Sequence, residues 1–311
     1  MNYKECAEFL KKRDNYLIVT HKNPDGDCMG SAAALCSALR RAGKKAYLYP
    51  NRQVIAVLRP YVEPFYAPEG FEPGCIVAVD TATEKMFALG FEGEVELCID
   101  HHPSNSRYAP NLLLQAQRAS CGEIVMELVK ALRGNITSEE ADLLYIAVST
   151  DTGCFLYSNT NAATLRAGAE LLKAGADNHA INTAFFRKRS LARLRLEGMI
   201  YSGMQIHRDG KLIIASITKE MMEKAGATED DLDDIAGLAG RVEGSVLSVT
   251  IREMDDGGSK LSLRSNHEVN SCEICAVFGG GGHAMAAGCS LACAPDKAAV
   301  MIKEVIDEVW K

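Results

Sequence analysis

The chain lacks the features of a membrane protein, of a secreted protein and of a protein that binds long nucleic acid. None of its apolar runs is long enough to span a membrane, and its first residues lack the charged, apolar and small-residue regions of a signal peptide. Basic side chains number 34 against 41 acidic ones, for a net charge of −7, whereas binding to long nucleic acid relies on a basic excess. We therefore expect a cytoplasmic protein with no membrane and no long duplex nucleic acid among its partners.

The chain contains 11 cysteines. Without an export signal, these cysteines predict reduced thiols rather than a disulfide framework. Four of them raise the alternative of a zinc site: Cys272, Cys275, Cys289 and Cys293. The helical pattern around the first two favours small buried side chains instead.

Short apolar runs alternate with longer helical patterns in the first half of the chain. Four runs predict strands covered on both faces, namely NYLIVT, KAYLYP, CIVAVD and VELCID. Helical spacing follows in GSAAALCSALRRAG, CGEIVMELVKAL and SEEADLLYIAVST, the last with a start signal of Thr137 or Ser138 and a nearby glutamate. This alternation predicts an α/β domain over residues 1–186, with a parallel sheet and helices on both faces.

The second half has a different pattern and predicts a smaller α+β domain over residues 204–311. MQIHRDGKLIIASI predicts a hairpin that turns at Asp209 and Gly210, and GSVLSVTIREMDDGGSKLSLRSN predicts another. A strand near 289–293 and a helix over 296–310 complete this domain. Residues 187–203 form a basic helical linker, whose charges are typical of a solvated helix face.

Acidic and histidine side chains follow the predicted strands of the first domain. They occur in HKNPDGDCMGS, VAVDTA, IDHHPSN and STDTGCF, and three of these four segments lie at the carboxyl end of a strand. Because open α/β sheets form their ligand crevice at that edge, we expect the side chains to converge. They are His21, Asp25, Asp27, Asp80, Asp100, His101, His102 and Asp151.

Several carboxylates in one small crevice require a cation. Without one, mutual repulsion would raise their pKa values or open the site. Oxygen donors mixed with imidazole suit manganese or a similar first-row ion, and the number of candidate ligands exceeds what one ion needs. The sequence therefore predicts a pair of ions about 3.5–4 Å apart, the spacing used in phosphoryl chemistry, with Asp80 or Asp27 as the bridge.

The segment VFGGGGHAMAAG is a second candidate site. Four consecutive glycines offer backbone N–H groups that can bind a phosphate or a carboxylate, and His283 follows them directly. Arg264 in SLRSN could bind a phosphate through its planar fork. The alternative for the glycine run is a flexible loop between a helix and a strand.

Taken in order, these motifs resemble those of the DHH phosphoesterases, specifically the DHH–DHHA1 subgroup. The resemblance rests on HKNPDGDCMGS, VAVDTA, IDHHPSN, STDTGCFLYSNTNAATL, RSN and FGGGGHAMAAG, and it covers nearly the whole chain. It implies an N-terminal DHH domain, a C-terminal DHHA1 domain and an active site in the cleft between them. Within the subgroup, the sequence is similar to nano-RNases and phosphoadenosine-phosphate phosphatases.

The resemblance implies ligands for two Mn²⁺ ions, with Mg²⁺ or Co²⁺ as substitutes. In this pattern His21 and Asp25 bind one ion, and Asp80 bridges the two. The other ion is bound by three further side chains, Asp27, His101 and Asp151.

The resemblance also implies catalytic and substrate-binding residues. His102 faces the scissile phosphate, and Asp100 orients a neighbouring imidazole. The second domain binds the nucleotide end of the substrate through Arg264, Ser265, Gly280, Gly281, Gly282 and His283.

The function implied is hydrolysis of short oligoribonucleotides to mononucleotides, of phosphoadenosine phosphate to AMP, or of both, by a hydroxide that two metal ions activate. The partner is then a short RNA or a small nucleotide, and a homodimer is left open. Three alternatives are also open. They are a stand-alone phosphodiesterase for cyclic di-AMP or linear dinucleotides, a nucleotide-binding regulator without turnover, and a protein whose ions serve folding alone.

Overall fold

The computed structural model describes residues 1–232, 234–266 and 268–310. The chain divides into two compact units, the first spanning Met1–Lys188 and the second beginning at Arg189. Each unit has a hydrophobic core of its own. Across the described residues, no helix is long and apolar enough to cross a membrane.

The first unit contains a five-stranded sheet in which all neighbouring strands are parallel. The strand order is β2-β1-β3-β4-β5. The strands are β1 (Tyr16–Val19), β2 (Ala46–Leu48), β3 (Cys75–Val79), β4 (Leu97–Asp100) and β5 (Asn111–Leu114). The four strands expected from the sequence, and the α/β class, are confirmed.

Seven helices accompany this sheet in the described part of the first unit. They are α1 (Tyr3–Lys11), α2 (Gly26–Arg41), α3 (Arg59–Val62), α4 (Cys121–Arg133), α5 (Ser138–Asp151), α6 (Ala162–Ala174) and α7 (Asn178–Asn182), and a π-helical turn over Thr183–Arg187 follows. Helix α5 begins at the predicted signal, because the Thr137 side chain accepts from Glu140 N and the Glu140 side chain accepts from Thr137 N. This capping box satisfies two backbone donors at the helix start.

The two faces of the sheet are covered differently. Side chains of α1, α2, α4 and α5 pack on one face. The other face is covered by aromatic rings from connecting segments, with Phe87 in edge-to-face contact with Phe91 and Tyr108. This differs from the expectation of helices on both faces, because a continuous apolar run predicts that a strand is covered but not what covers it.

The second unit contains a six-stranded sheet with the order β10-β11-β9-β8-β7-β6. The strands are β6 (Gln205–His207), β7 (Leu212–Ile217), β8 (Leu247–Glu253), β9 (Ser259–Ser265), β10 (Gly281–His283) and β11 (Ala286–Leu291). Both predicted hairpins are confirmed as antiparallel pairs, β6 with β7 and β8 with β9. The helices are α8 (Leu191–Ser202), α9 (Lys219–Ala225), α10 (Ser271–Ala276) and α11 (Pro295–Val309), with 3-10 turns at Glu229–Leu232 and Ile235–Arg241.

The basic segment before the second sheet belongs to the second unit from Arg189 onward. Leu196 and Ile200 of α8 pack against Ile213 of β7. Arg193, expected on a solvated face, is buried and pairs with Glu197 at 2.6 Å between Nε and Oε1. The charge pattern failed to predict this burial because a long arginine stem can cover apolar surface while its head is paired.

The single tryptophan of the chain lies in the second unit. Trp310 follows α11 and packs against the core beneath the sheet. The guanidinium of Arg208 lies 4.8 Å from the centre of its ring, a cation–π contact. This pair joins the end of α11 to the turn after β6.

Candidate active site

The candidate site lies at the point of the first sheet where the order of the strands reverses, between β1 and β3. Strand β1 pairs with β2 on one side and with β3 on the other. Because the segments after β1 and β3 therefore leave toward opposite sides, a crevice opens at their carboxyl ends. The polar residues expected from the sequence follow β1, β3 and β4 at this edge.

His21 and Asp25 come from the segment between β1 and α2. The His21 Nδ1–H donates to the carbonyl of Lys22 at 2.8 Å, which leaves Nε2 as an acceptor. Asp25 is the N-cap of α2, since its Oδ1 accepts from Cys28 N at 3.0 Å. Its Oδ2 lies 3.9 Å from His21 Nε2, and its side chain is exposed. Asp25 thus caps a helix and also faces the cluster.

Asp27, in the first turn of α2, is buried against the start of α4. Its carboxylate accepts from Cys121 N at 2.7 Å and from Gly122 N at 2.8 Å. The positive end of the α4 dipole favours the charged carboxylate. Oδ2 also lies 3.7 Å from His101 Nε2, so Asp27 reaches the same cluster from a rigid support.

Asp80 lies between two imidazoles. Its Oδ2 is 3.8 Å from His21 Nε2, and its Oδ1 is 3.4 Å from His101 Nε2. The residue directly follows β3 with a φ of 54°, a conformation that costs a non-glycine residue of order 1–3 kcal/mol and is concentrated at functional sites. This backbone conformation accompanies a carboxylate that faces both histidines.

Asp100 ends β4 and is completely buried. Its Oδ1 accepts from His102 Nδ1 at 2.7 Å, and its Oδ2 accepts from Asn105 Nδ2 at 2.6 Å. Burial alone would raise the pKa of Asp100, but these hydrogen bonds hold it below its usual value. The Asp100 carboxylate is therefore charged and fixes the ring of His102, which is 36% exposed.

His101 faces the acids on the opposite side of the triplet. Its Nδ1–H donates to the carbonyl of Arg118 at 3.3 Å, which turns Nε2 toward Asp27 and Asp80. Burial alone would lower the pKa of His101, but the nearby carboxylates of Asp80, Asp27 and Asp151 raise it to about 10. The cluster therefore attracts positive charge strongly at this nitrogen.

Asp151, the last residue of α5, brings a further carboxylate to His101. Burial raises the pKa of Asp151 to about 6, and repulsion by Asp80 and Asp25 acts in the same direction against attraction by His101. Burial also raises the pKa of Asp27 well above its usual value, with repulsion by Asp80 next in size. Both pKa shifts express the cost of burying a carboxylate, to which repulsion by the neighbouring carboxylates adds.

The donor set fits divalent cations. Asp80 Oδ1 is buried without a hydrogen-bond partner among the described residues, which costs about 1–3 kcal/mol unless a ligand compensates it. Three groups of donor atoms each lie within 4.8 Å of one another, and they share Asp80 or His101. They are His21, Cys28 and Asp80; Asp80, His101 and His102; and Asp27, His101 and Asp151.

Two residues of the site were not expected from the sequence. Cys28 belongs to one donor group, but burial, with repulsion by Asp80 and Asp25, raises the pKa of its thiol, so it is a poor ligand while protonated. Asn105 was missed although it closes the quoted segment IDHHPSN. A polar amide three residues after the second histidine was the available signal.

The expected substrate residues of the second unit lie on its outer strands. Arg264 and Ser265 end β9, Gly281 to His283 form the edge strand β10, and Ala286 of β11 pairs with Arg264. The glycine run is thus partly a strand. A Cβ at Gly280 would lie 2.3 Å from Gly288 O, and one at Gly282 would lie 2.5 Å from Ala286 O, so close packing requires both glycines.

Ser265 and the cysteines of this unit have structural contacts. The Ser265 hydroxyl donates to Val269 O at 2.7 Å and lies 2.9 Å from the Ser271 hydroxyl. Within the described ranges, no donor group that could hold a metal includes the four cysteines considered for zinc. Cys275 and Cys289 are buried free thiols, in line with the apolar interpretation.

The fold and the site define a two-domain α/β protein with a carboxylate–histidine centre at the switch point of its parallel sheet. Residues 15–148 match the model of the DHH family, N-terminal domain, and residues 209–311 match that of the DHHA1 domain. The chain belongs to the DHH family. It is a hydrolase that acts on phosphoester bonds.

Similar proteins cover almost the whole chain. The bifunctional oligoribonuclease and PAP phosphatase NrnA of Thermus thermophilus is 36% identical over 92% of this chain and 87% of its own. The protein of the same name from Bacillus subtilis is 27% identical over 92% of each chain. A solved exopolyphosphatase-related protein from Bacteroides fragilis shares the fold, with a TM-score of 0.88, 24% identity and coverage of 98% and 96%.

Proposed function

We propose that the protein uses two divalent cations, Mn²⁺ in the first place, to hydrolyse short oligoribonucleotides to mononucleotides and phosphoadenosine phosphate to AMP. The names of the Thermus and Bacillus relatives support this pair of substrates. The net charge of −7 supports short substrates bound at a local site. The substrate enters from solution, and a homodimer is compatible with this activity.

The observation that carries the proposal is the position of Asp80. One of its oxygens lies near His21 and the other near His101, and the latter oxygen has no hydrogen-bond partner in the described chain. A carboxylate that offers one oxygen to each of two imidazole-lined positions can bridge two ions. A single structural ion would not need both positions.

Each side chain of the cluster has a role in this proposal. His21 and Asp25 would hold one ion, and Asp80 would bridge it to a second ion held by the remaining ligands, Asp27, His101 and Asp151. Bound together, the two ions would polarise the phosphoryl oxygens and lower the pKa of the attacking water. The backbone carbonyls that accept from His21 and His101 fix which ring nitrogen is available.

His102 would contact the phosphate rather than an ion. Its Nδ1–H is committed to Asp100, which Asn105 holds in turn. Nε2 is then the polar atom left on a ring that is 36% exposed. From that nitrogen, His102 can donate a proton to a phosphate oxygen and stabilise the charge that develops there.

The second unit would bind the part of the substrate that is not cleaved. Within the described residues, the Arg264 side chain makes no ion pair and donates to the adjacent Leu263 O. It can therefore bind a phosphate. Among the described strands, the edge strand Gly281–His283 has a partner on one side only, so its backbone can donate to a nucleotide.

The test is release of phosphate and nucleotides, with Mn²⁺, from a panel of substrates. The panel contains a dinucleotide, a pentanucleotide, a longer RNA, phosphoadenosine phosphate, cyclic di-AMP and pyrophosphate. We expect turnover of the short RNAs and of phosphoadenosine phosphate, and its loss by at least about 100-fold in Asp80→Asn. Asp255→Asn, at an exposed turn of the second unit, is the matched control and should retain activity.

Two outcomes would contradict the proposal. Turnover of cyclic di-AMP alone would assign the chain to the dinucleotide phosphodiesterases. No turnover of any substrate in the panel, with Mn²⁺ demonstrably bound, would favour a nucleotide-binding regulator.

A further inference from the structure

A cavity of about 250 Å³ lies on one face of the second sheet, next to the 3-10 turn Ile235–Arg241. Its polar lining comes chiefly from β8 and β9, which are antiparallel neighbours. Among the described residues that line it, none is aromatic. The polar side chains at this cavity are Asp234, Thr250, Arg252, Lys260, Ser262 and Arg264.

Strand geometry brings the basic side chains of this cavity together. Lys260, Ser262 and Arg264 alternate along β9, so they share one face of the sheet, with neighbours about 7 Å apart. Arg252 lies directly opposite Lys260 on β8. A row of positive charge therefore runs from Arg252 to Arg264, with a serine hydroxyl in the middle.

The positive charge of this row is only partly neutralised. Arg252 is paired with Glu229, and Asp234 lies 3.7 Å from Arg241. Lys260 and Arg264 pair with no acidic side chain in the part of the chain that the structure describes. Two unpaired cations at one concavity are notable in a protein whose net charge is −7, and they favour an anionic ligand.

Donors at the cavity also remain available. Arg252 Nε is buried and has no hydrogen-bond partner in the described chain, so its guanidinium is not fully used by Glu229. The Ser262 hydroxyl lies between the two unpaired cations. Since cations with a hydroxyl suit a tetrahedral anion and no ring is present to stack on a base, the lining suits a phosphate better than a nucleobase.

We propose that this cavity is a phosphate subsite, in which Lys260, Ser262 and Arg252 extend the binding surface that begins at Arg264. The inference rests on the proposed function, which supplies a nucleotide substrate, and adds residues to its binding surface. The subsite holds a phosphate that is not hydrolysed. That phosphate belongs either to the backbone of an oligoribonucleotide or to the terminus of phosphoadenosine phosphate.

The test is equilibrium binding by the full chain in EDTA, so that neither cations nor turnover contribute. Calorimetry at several salt concentrations would compare a 5′-phosphorylated tetra-adenylate with phosphoadenosine phosphate. Lys260→Ala should weaken binding by about threefold to tenfold and reduce the slope of log Kd against log salt by about 0.7, the value for one phosphate contact to a single strand. Lys260→Arg should retain both.

Lys297→Ala, at an exposed position of α11, is the matched control and should change neither quantity. A loss for the tetranucleotide alone assigns the subsite to a backbone phosphate, and an equal loss for both ligands assigns it to a terminal phosphate. Unchanged affinity and slope in Lys260→Ala would overturn the proposal. So would a wild-type chain that binds neither ligand in EDTA, because the cavity needs no cation. A wild-type chain that binds these ligands in EDTA but turns over no substrate of the panel with Mn²⁺ would instead count against the proposed function.

Discussion

The two adjacent histidines of the triplet differ in the group that holds their Nδ1 atoms. His101 donates to a backbone carbonyl, and its Nε2 faces two buried carboxylates. His102 donates to the carboxylate of Asp100, which makes its ring more basic. Neighbours in sequence thus have different chemistry because their rings lie in different surroundings.

Alanine at each histidine should separate these roles. His101→Ala should weaken Mn²⁺ binding by at least about 10-fold, because it removes a proposed ligand, and turnover should recover in part at high Mn²⁺. His102→Ala should leave Mn²⁺ affinity nearly unchanged and lower kcat by about 100-fold. Titration calorimetry with Mn²⁺ and steady-state kinetics on a dinucleotide measure the two effects.

His179→Ala, at an exposed position of α7, is the control for removing an imidazole and should match the wild type. Near-normal turnover in His102→Ala would show that this ring does not contact the reacting phosphate. Equal loss of Mn²⁺ affinity in both variants would instead make His102 a ligand, as its position in one donor group allows.

The sequence predicted which residue types converge but not how each is supported. The resemblance named Asp25, and the alternative for such an aspartate is a helix cap. In the structure, one carboxylate oxygen of Asp25 caps α2 and the other faces His21. Asn105 was not predicted because its hydrogen bond to Asp100 forms only when the segment folds back on itself, which the sequence pattern does not indicate.

At the scale of elements, the site depends on the close approach of α2 and α5. Helix α2 is capped by Asp25 and carries Asp27 in its first turn, and α5 ends at Asp151. A Cβ at Gly30 would lie 2.4 Å from Leu143 O, so only glycine permits this helix separation. The spacing of the two helices therefore sets the distance between candidate ligands on different segments.

Gly30→Ala should destabilise the protein by about 1–3 kcal/mol, because the added methyl overlaps a backbone oxygen that cannot move alone. Thermal or urea unfolding measures this loss. Gly198→Ala is the matched control, since Gly198 is also in a helix but a Cβ there meets nothing within 4 Å. It should raise stability by about 0.5–1 kcal/mol through helix propensity. Equal effects of the two substitutions would contradict the close helix contact.

The elements predicted best from the sequence are those with long patterns. Strands with continuous apolar runs and hairpins with Asp-Gly turns were found, and so was the capped start of α5. Strand β5 was missed because it is only partly buried. The edge strand β10 was missed because glycines carry no side chains to alternate, and its pairing with β11 is a tertiary effect.

For the whole molecule, the division into two cores assigns the candidate metal ligands to one unit. All six lie before Lys188. Ligand binding to the folded state alone raises its stability by mass action, about 2.7 kcal/mol when the free ligand is 100 times Kd. Metal removal should therefore act on the first core.

Adding Mn²⁺ to the EDTA-treated protein should raise the Tm of the first unit by about 5–10 °C, because the ions relieve repulsion among buried carboxylates. Far-UV circular dichroism during heating measures the shift, and EDTA should reverse it. Asp80→Asn should abolish most of it while remaining folded. A shift of the same size in that variant would mean that Mn²⁺ binds elsewhere.

The lone tryptophan gives the molecule a built-in optical label. Because Trp310 packs on the second core and against Arg208, its emission reports the surroundings of that core and no indole reports the other. On one unmodified sample, fluorescence therefore follows the second half and far-UV circular dichroism follows both, so a transition seen by circular dichroism alone belongs to the first half. Because Trp310 is the single tryptophan, no engineered fluorescent probe is needed to follow the second core.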